Sequence, residues 1–395
     1  MKTLRTLIAG LLCFIAASLS SAGVGGGSLY LPIINLVAGL DLKTASTFSA
    51  FMVTGGSLSN VLYTLVFFAD PKSSIDYDIA LLSEPSMLLG VSAGVLGNVM
   101  LPEWLITALF ALFLGVSTYK TFEAGFRCWG AESEEVRRSG IIGAQDGEEE
   151  EEEPLLLSGE GFQGSIQWRK MVVLVVVWLT FFVLHVVIAD KGDKKILQIR
   201  PCGVLYWLIT LFQVPLAIGF TACILYQNRK MQHQTPDQEK DNQGIIVHSR
   251  MKELPAVIFP LAALISGILG GLFGIGGGML INPVLLQIGI PPQVTASTTS
   301  FMVLFSSSMS MVQYLILGMK AVEEAAIFAA VCFFASIVGL VLIQRAVEKF
   351  GRASLIVFSV SIVMALSVVS ITCFGAIDVW REYKNGEDMG FKLPC

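Results

Sequence analysis

The chain has 395 residues, of which 54% are hydrophobic and 14% are charged, and its formal net charge is -5. A soluble domain carries about 25% charged residues, so this composition excludes a soluble globular protein. Much of the net charge comes from the run 148–153, six glutamates that are typical of a solvated loop.

Apolar segments predict a series of membrane helices along the chain. In chain order these segments are 4–22, 28–40, 44–68, 80–101, 104–122, 171–189, 203–227, 256–273, 279–290, 296–318, 322–343 and 352–374. The predicted regions are a first transmembrane repeat (1–122), an acidic loop (123–170), two connecting helices (171–227), a hydrophilic loop (228–255), a second transmembrane repeat (256–374) and a C-terminal tail (375–395).

The two repeats are predicted from an internal duplication. The sequence Gly23-Val24-Gly25-Gly26-Gly27, with Pro32 and the box Thr44-Ala45-Ser46-Thr47 after it, returns as Gly274-Ile275-Gly276-Gly277-Gly278, Pro283 and Thr295-Ala296-Ser297-Thr298. The shift is 274 − 23 = 251 residues, without a gap. A duplicated, glycine-interrupted apolar segment is typical of secondary transporters, whose substrate site lies between the two halves.

The second segment of each repeat is short for a membrane crossing. Segments 28–40 and 279–290 follow the glycine clusters, and each contains a proline. At 1.5 Å per residue they reach only about 18–20 Å as helices. Broken backbone at membrane depth survives where protein or a polar cavity satisfies it, so these segments are predicted to be half-helices or re-entrant segments.

The predicted fold is an all-α polytopic membrane protein with two homologous, inverted repeats, broken half-helices and about 10–12 membrane segments. Lys and Arg residues in loops 123–170 and 228–255 favour a cytosolic position for both loops, with both termini on the other side. Segment 4–22 has the features of a cleaved signal peptide, but it lies over 260–273 in the duplication. It is therefore predicted to be a membrane helix.

The glycine clusters are the first candidates for substrate binding. Adjacent glycines let a ligand approach the backbone closely, and the half-helix after them presents N–H groups and a positive dipole end to an anion. The alternative is that they are notches for close helix packing. The candidate glycines are Gly25, Gly26, Gly27, Gly276, Gly277 and Gly278.

The hydroxyl boxes after the half-helices are the second candidates. Ser and Thr at the start of a helix cap it, or they donate to a substrate oxyanion. Four hydroxyls in each box exceed what capping needs, so the boxes are predicted to contact substrate. Their members are Thr44, Ser46, Thr47 and Ser49 in the first repeat, and Thr295, Ser297, Thr298 and Ser300 in the second.

Two ionisable residues are weaker candidates. His185 lies in an apolar helix outside the repeats, where a hydrogen-bonded structural role is favoured over a proton relay. Glu84, next to Pro85, lies near a predicted helix start and after Asp76 and Asp78. It is predicted to be interfacial, with a role in carrying a coupling proton as the alternative.

No sequence pattern indicates an enzyme. The chain has no GxSxG, HExxH, P-loop or paired-carboxylate pattern, its seven cysteines form no CxxC pair, and its three histidines are scattered. We therefore expect no catalytic residue, no cofactor, no metal and no nucleic-acid partner. The expected partners are a small anionic substrate and the lipid bilayer.

These residues resemble the sulfite exporter TauE/SafE family, and the resemblance is to its plant-type members. It rests on the two glycine motifs with their Ser/Thr boxes, on 75–82, and on the tail segments 378–380 and 389–392. The resemblance implies export of sulfite or of sulfur-containing organic anions, driven by an ion gradient.

The expected function is secondary transport of a small anion (sulfite, sulfate or an organosulfonate) by alternating access, in a plasma membrane or endomembrane. Two alternatives stay open. One is a passive anion channel, since a pore uses the same half-helix dipoles. The other is a membrane scaffold that does not transport and that recruits partners through its acidic loop.

Overall fold

The computed structural model describes residues 2–21, 27–67, 75–142, 160–189, 203–234, 258–318, 321–352, 354–385 and 390, in which all regular structure is helical. The helices are α1 (Lys2–Ser20), α2 (Gly27–Ile33, continued by a π-helical turn, Ile34–Ala38), α3 (Leu42–Phe67), α4 (Tyr77–Met100), α5 (Glu103–Ile142), α6 (Glu160–Ala189), α7 (Val204–Gln234), α8 (Ile258–Phe273), α9 (Gly278–Ile288), α10 (Pro292–Ile316), α11 (Val322–Phe350), α12 (Ser354–Ser370, continued by Ile371–Gly375) and α13 (Ala376–Asn385).

Seven of these helices, α4 to α7 and α10 to α12, are long and apolar enough to cross a membrane. The chain is therefore an integral, multi-pass membrane protein, and the predicted all-α polytopic fold is confirmed. Helix α3 is not among these seven, although its 26 residues give it the length to cross. The short α2 and α9 follow the two glycine clusters, where the sequence predicts broken segments.

The second glycine cluster reverses the chain between α8 and α9. Gly277 lies against Gly270 and Gly267 of α8. The Ile275 N–H donates to the Gly270 carbonyl at 3.1 Å, which closes the turn. The chain therefore runs down α8 and back along α9 as a hairpin.

Helices α4 and α8 are in backbone contact through glycines spaced four residues apart on each helix. A Cβ on Gly90 would lie 2.3 Å from the Leu264 carbonyl oxygen, and one on Gly94 would lie 2.0 Å from that of Ile268. Small residues at this spacing let two membrane helices approach closely. Since the contacts advance in the same order along both helices, α4 and α8 run in the same direction.

The hairpin of α8 and α9 enters and leaves on one side of the protein. The Asp76 N–H, just before α4, donates to the Thr298 hydroxyl in the second turn of α10 at 2.9 Å. The starts of α4 and α10 are thus together. Because α8 starts on the same side as α4, and α9 ends just before α10, both ends of the hairpin lie there. We call this the loop side; the Lys170 side chain, in the third turn of α6, also lies there and pairs with Asp78 at 2.7 Å.

Helices α1 and α2 form a corresponding hairpin from the opposite side, the terminal side. The Arg5 side chain lies close to Gly39, so the start of α1 is beside the end of α2. The Ser18 hydroxyl donates to the Ala335 carbonyl of α11 at 3.1 Å, and Gly10 lies near Phe328. Helices α1 and α11 therefore run in the same direction.

Each of the main helix contacts between the two halves has a counterpart in which the halves are interchanged. The contact of α4 with α8 corresponds to that of α11 with α1, and the contact of α3 with α11 corresponds to that of α10 with α4. The contact of α2 with α12 likewise corresponds to that of α9 with α5. Helix α3 also meets α10, and α5 meets α12. This pattern is what a two-fold relation between α1–α5 and α8–α12 predicts.

Helices α1 and α8 start on opposite sides of the protein, which is the arrangement that two inverted repeats predict. The repeats themselves remain a prediction. Among the described helices seven are long and apolar enough to cross a membrane, and Arg5–Ser20, Gly27–Ala38 and Ile258–Phe273 are shorter apolar helices.

Candidate functional site

The two glycine motifs meet at the centre of the protein. A Cβ on Gly27, the first residue of α2, would lie 2.7 Å from the Ile275 Cα in the turn before α9. The Ser49 hydroxyl donates to the Gly27 carbonyl at 3.4 Å. The N-terminal end of each half-helix is therefore directed at the other. Gly25 and Gly26 lie outside the described residues.

The second glycine turn also rests on the first hydroxyl box. Gly274 and Gly276 have φ angles of 66° and 75°, a left-handed conformation that favours glycine. A Cβ on Gly274 would lie 1.9 Å from the Ser46 carbonyl oxygen. Any residue with a Cβ at position 274 would therefore push the turn away from Ser46.

Hydroxyl groups of α10 and α3 surround the same turn. The Gly277 N–H donates to the Ser306 hydroxyl at 3.1 Å, and Gly276 lies against Val303 and Ser307. The Thr54 hydroxyl of α3 donates to that of Ser307 at 3.1 Å. These contacts join the two halves directly, at serines that lie outside the predicted boxes. Gly278 packs against the Thr299 carbonyl of the same helix.

Asn98 is a central residue that the sequence reasoning missed. Its Nδ2 donates to the Ser46 hydroxyl at 3.0 Å and to the Leu272 carbonyl at 2.7 Å, and its side chain is buried. It therefore links the end of α4 to α3 and to the last turn of α8. A single Asn near the end of an apolar helix carries no signal that distinguishes it from an ordinary helix end.

The first hydroxyl box divides into two parts. Ser46 and Ser49 are fully buried at the glycine turns. Thr47 donates to the Thr44 carbonyl of its own helix at 2.7 Å. The helix is capped by Asp41, whose carboxylate accepts from the Thr44 N–H at 3.0 Å. The cap of α3 is therefore Asp41, and the hydroxyls of the box do not cap this helix.

The second box lies further from the centre, nearer the loop side. The Thr295 hydroxyl donates to the Ile290 carbonyl at 3.4 Å, and that of Ser297 donates to the Gln293 carbonyl at 3.0 Å. Ser300 is buried. The structure therefore brings Ser46 and Ser49 to the glycine turns, while Thr295 and Ser297 of the second box make local contacts.

The fourth member, Thr298, belongs to the start of α4. Its hydroxyl accepts from the Asp76 N–H, and the Asp76 carboxylate in turn accepts from the Asp78 and Ile79 N–H groups as a helix cap. Burial raises the pKa of the Asp76 carboxyl, although the bond from the Ile79 N–H opposes this shift. Thr298 thus positions a helix end.

A cavity of about 760 Å³ leads from the terminal side towards the glycine turn. Arg5, Asp41 and Glu103 line it, and all three lie at helix ends on that side. Phe110 and Phe273 also line it; both are buried and in ring contact, with centroids 4.3 Å apart. Since Phe273 directly precedes Gly274, the cavity reaches the residue before the second glycine turn.

Comparison with known proteins gives the family. The model of the family described as sulfite exporter TauE/SafE matches residues 6–149 and 157–368. The chain belongs to the sulfite exporter TauE/SafE family. The match extends from α1 into α12, so both hairpins lie within it.

Plant relatives in this membrane transporter family span nearly the whole chain. Sulfite exporter TauE/SafE family protein 5 of Arabidopsis thaliana is 52% identical over 98% of this chain and 87% of its own length. Family protein 2 of the same plant is 52% identical over 100% and 88%. The probable membrane transporter protein YunE of Bacillus subtilis is 42% identical over 14% of this chain and 21% of its own length. No solved structure matches.

His185 of this TauE/SafE chain is hydrogen-bonded, as favoured from the sequence. Its Nε2 lies 2.8 Å from the Ser92 hydroxyl and 3.0 Å from the Gln313 Nε2. The adjacent Tyr314 donates to the Gly271 carbonyl at 2.8 Å, which ties α10 to α8 near the second hairpin.

Proposed function

We propose that this chain is a secondary transporter that moves a small anion, such as sulfite, sulfate or an organosulfonate, by alternating access. The supporting observation is the meeting of the two glycine turns, with Gly27 packed on Ile275. Two half-helices that begin at one point near the membrane centre direct their positive dipole ends there.

The chemistry around the turns suits a small oxyanion. Donor groups concentrated there are the hydroxyls of Ser46, Ser49, Ser306 and Ser307 and the amide of Asn98. In this structure they donate to backbone carbonyls or to one another, so a bound anion would take the place of these partners. Among the described residues no Lys or Arg side chain is buried. An anion bound here would therefore rest on hydrogen bonds and helix dipoles, as anions do at helix N-termini.

The hairpins are the proposed moving parts. The cavity on the terminal side is lined by Phe110 and Phe273, and Phe273 directly precedes the second turn. On the loop side, α9 and α10 cover the same turn. We propose that separation of the aromatic pair admits the anion from the terminal side. Displacement of the α8–α9 hairpin then releases it on the loop side, or the reverse.

Flux in proteoliposomes tests this function. We expect uptake of radiolabelled sulfite or sulfate, or of methanesulfonate, that responds to a pH gradient. Gly277→Leu places a side chain against Met87 and the Gly267 backbone, where a Cβ already comes within 2.9 Å and 3.1 Å. We expect it to lower flux by about tenfold or more, since overpacking costs 1–3 kcal/mol.

Gly219→Leu is the matched control, because nothing lies within 4 Å of that position in α7. It is expected to leave flux unchanged. Flux that follows only the anion's own electrochemical gradient would indicate a channel. A folded wild-type protein that moves none of the three anions would contradict the proposed function and favour the scaffold alternative.

A further inference from the structure

We propose that Glu84 is the site of the coupling proton, a carboxyl group that binds and releases one proton in each transport cycle. This inference rests on the proposed function and names its driving ion. Interfacial placement was the favoured interpretation of Glu84 from the sequence, and the structure contradicts it. Helix α4 starts at Tyr77, because Asp76 caps it, so Glu84 lies two turns inside the helix.

Glu84 is a buried acid without a partner. Its side chain is 0% exposed, and neither carboxyl oxygen has a hydrogen-bond partner. Of the described Asp, Glu, Lys and Arg side chains, it is the one that is buried. An unpaired carboxylate in an apolar interior is very costly, so the group is neutral and carries its proton in this state.

The position of Glu84 couples it to the glycine turn. It lies three residues before Met87 and seven before Val91, and thus on the stripe of α4 that faces α8. The Met87 carbonyl packs on Gly267, and its side chain packs on Gly277. One helical turn therefore separates the carboxyl group from the proposed anion site, on the side towards the loops.

Other polar groups near Glu84 are also unused. Pro85 has no N–H, so the Leu81 carbonyl lacks the helical donor that would otherwise reach it. The Ser83 hydroxyl is buried and has no hydrogen-bond partner. A helix interior with a missing donor, a free hydroxyl and a free carboxyl group is costly as a purely structural element.

No described side chain lies within hydrogen-bonding distance of the Glu84 carboxyl group. Helix α4 packs on α6, α7, α8 and α10. The described part of α8 has no titratable residue, and α10 has Tyr314, which bonds to Gly271. On α7, Cys223 and Tyr226 are exposed. The side chains of Tyr206, Arg229, Lys230 and His233 on α7 lie outside the described part of the structure.

The remaining groups near α4 are committed elsewhere. On α6, Arg169 is exposed, Lys170 pairs with Asp78 at 2.7 Å, and His185 bonds to Ser92. Ser92 is eight residues, about 12 Å, further along α4 than Glu84. Within α4 itself, Tyr77 is half-buried and lies against Phe301. The charge state of Glu84 thus depends on whether water reaches it.

The α8–α9 hairpin controls that access. It packs on α4 at this level, since Phe259, Ala263, Ile281 and Leu285 share a buried cluster with Leu81 and Met87. When the aromatic pair separates, water and a proton follow the anion from the terminal side to the turn, and the carboxyl group is protonated from that side. Movement of the hairpin towards the loop-side-open state then hydrates the carboxyl group from the other side, where it ionises by releasing this proton to water. On return without the anion, water at the turn solvates the carboxylate until the terminal side supplies the next proton. One proton thereby crosses with each anion.

The test compares wild type with Glu84→Gln in proteoliposomes, with the membrane potential clamped at zero. Coupling of one proton to one anion supports about tenfold accumulation per pH unit of gradient. We expect wild type to accumulate methanesulfonate or sulfite to this degree. Glu84→Gln should only equilibrate the anion, yet exchange internal for external anion within about twofold of wild type. Glu323→Gln, an exposed acid at the start of α11, should behave as wild type.

Infrared difference spectra after a pH jump give a readout that does not depend on transport. We expect wild type to show the carbonyl band of a protonated carboxylic acid, and Glu84→Gln to lack it. A missing band in wild type overturns the proposal. So does gradient-driven accumulation that persists in Glu84→Gln, while the transport function itself stands. Absence of all anion flux from folded wild type instead overturns the function together with this inference.

Discussion

Gly274→Ala is expected to abolish anion flux and to lower the free energy of unfolding by about 3 kcal/mol or more. Two costs add: the left-handed φ of 66° strains an alanine by about 1–2 kcal/mol, and its Cβ would lie 1.9 Å from the Ser46 carbonyl oxygen. Relief of the contact moves the second turn away from the first box. Thermal unfolding in detergent, followed by flux measurements, checks both effects.

Gly318→Ala is the control for Gly274→Ala. Its φ of 88° imposes a comparable strain, but nothing lies within 4 Å of its position. It should lose stability only through backbone strain and keep its flux. Equal stability loss in the two variants, with normal flux in Gly274→Ala, would show that contact between the glycine turn and Ser46 has no functional importance.

Gly94→Ala has the second-largest expected effect. The added methyl would lie 2.0 Å from the Ile268 carbonyl oxygen and 2.8 Å from the Leu272 nitrogen, so α4 and α8 must separate. Overpacking of this kind costs about 1–3 kcal/mol. Because α8 carries the second hairpin, we expect lower flux as well as a lower melting temperature.

Gly97→Ala, one turn further along the same helix, is its matched control. There the methyl would meet the Leu272 Cδ1 at 3.3 Å, the end of a side chain that can move. The higher helix propensity of alanine, worth up to about 1 kcal/mol, should offset this contact. If Gly97→Ala were as destabilising as Gly94→Ala, close packing of α4 on α8 would not explain the effect.

Much of the fold follows from the sequence because membrane helices carry strong local signals. Apolar length predicts the crossing helices, and the glycine clusters with Pro32 and Pro283 mark the short ones. The hairpins were harder to predict. Their first segments, 4–22 and 256–273, have the apolar length expected of crossing segments, but helices α1 and α8 are shorter. Contacts such as Gly277 on Gly270 reveal that the chain turns back.

The candidate site could be predicted only in part, because the sequence marks residues that recur and gives no signal for residues that occur once. Glycines and Ser46 stand out by repetition, whereas Asn98 occurs once and its partners are remote in sequence. Glu84 was misplaced because Asp76, Asp78 and Pro85 together resemble a helix start. Asp76 caps the helix eight residues before Glu84, and proline is accommodated inside α4.

The position of a bound anion tests the central claim most directly. Selenate has the shape and charge of sulfate, and its selenium can be located by anomalous X-ray scattering from crystals of the wild-type protein. We expect selenium between the Gly27 end of α2 and the Gly276–Gly277 turn. Selenium found only beside Arg5 in the outer cavity, with none within hydrogen-bonding distance of the turn, would contradict the central claim.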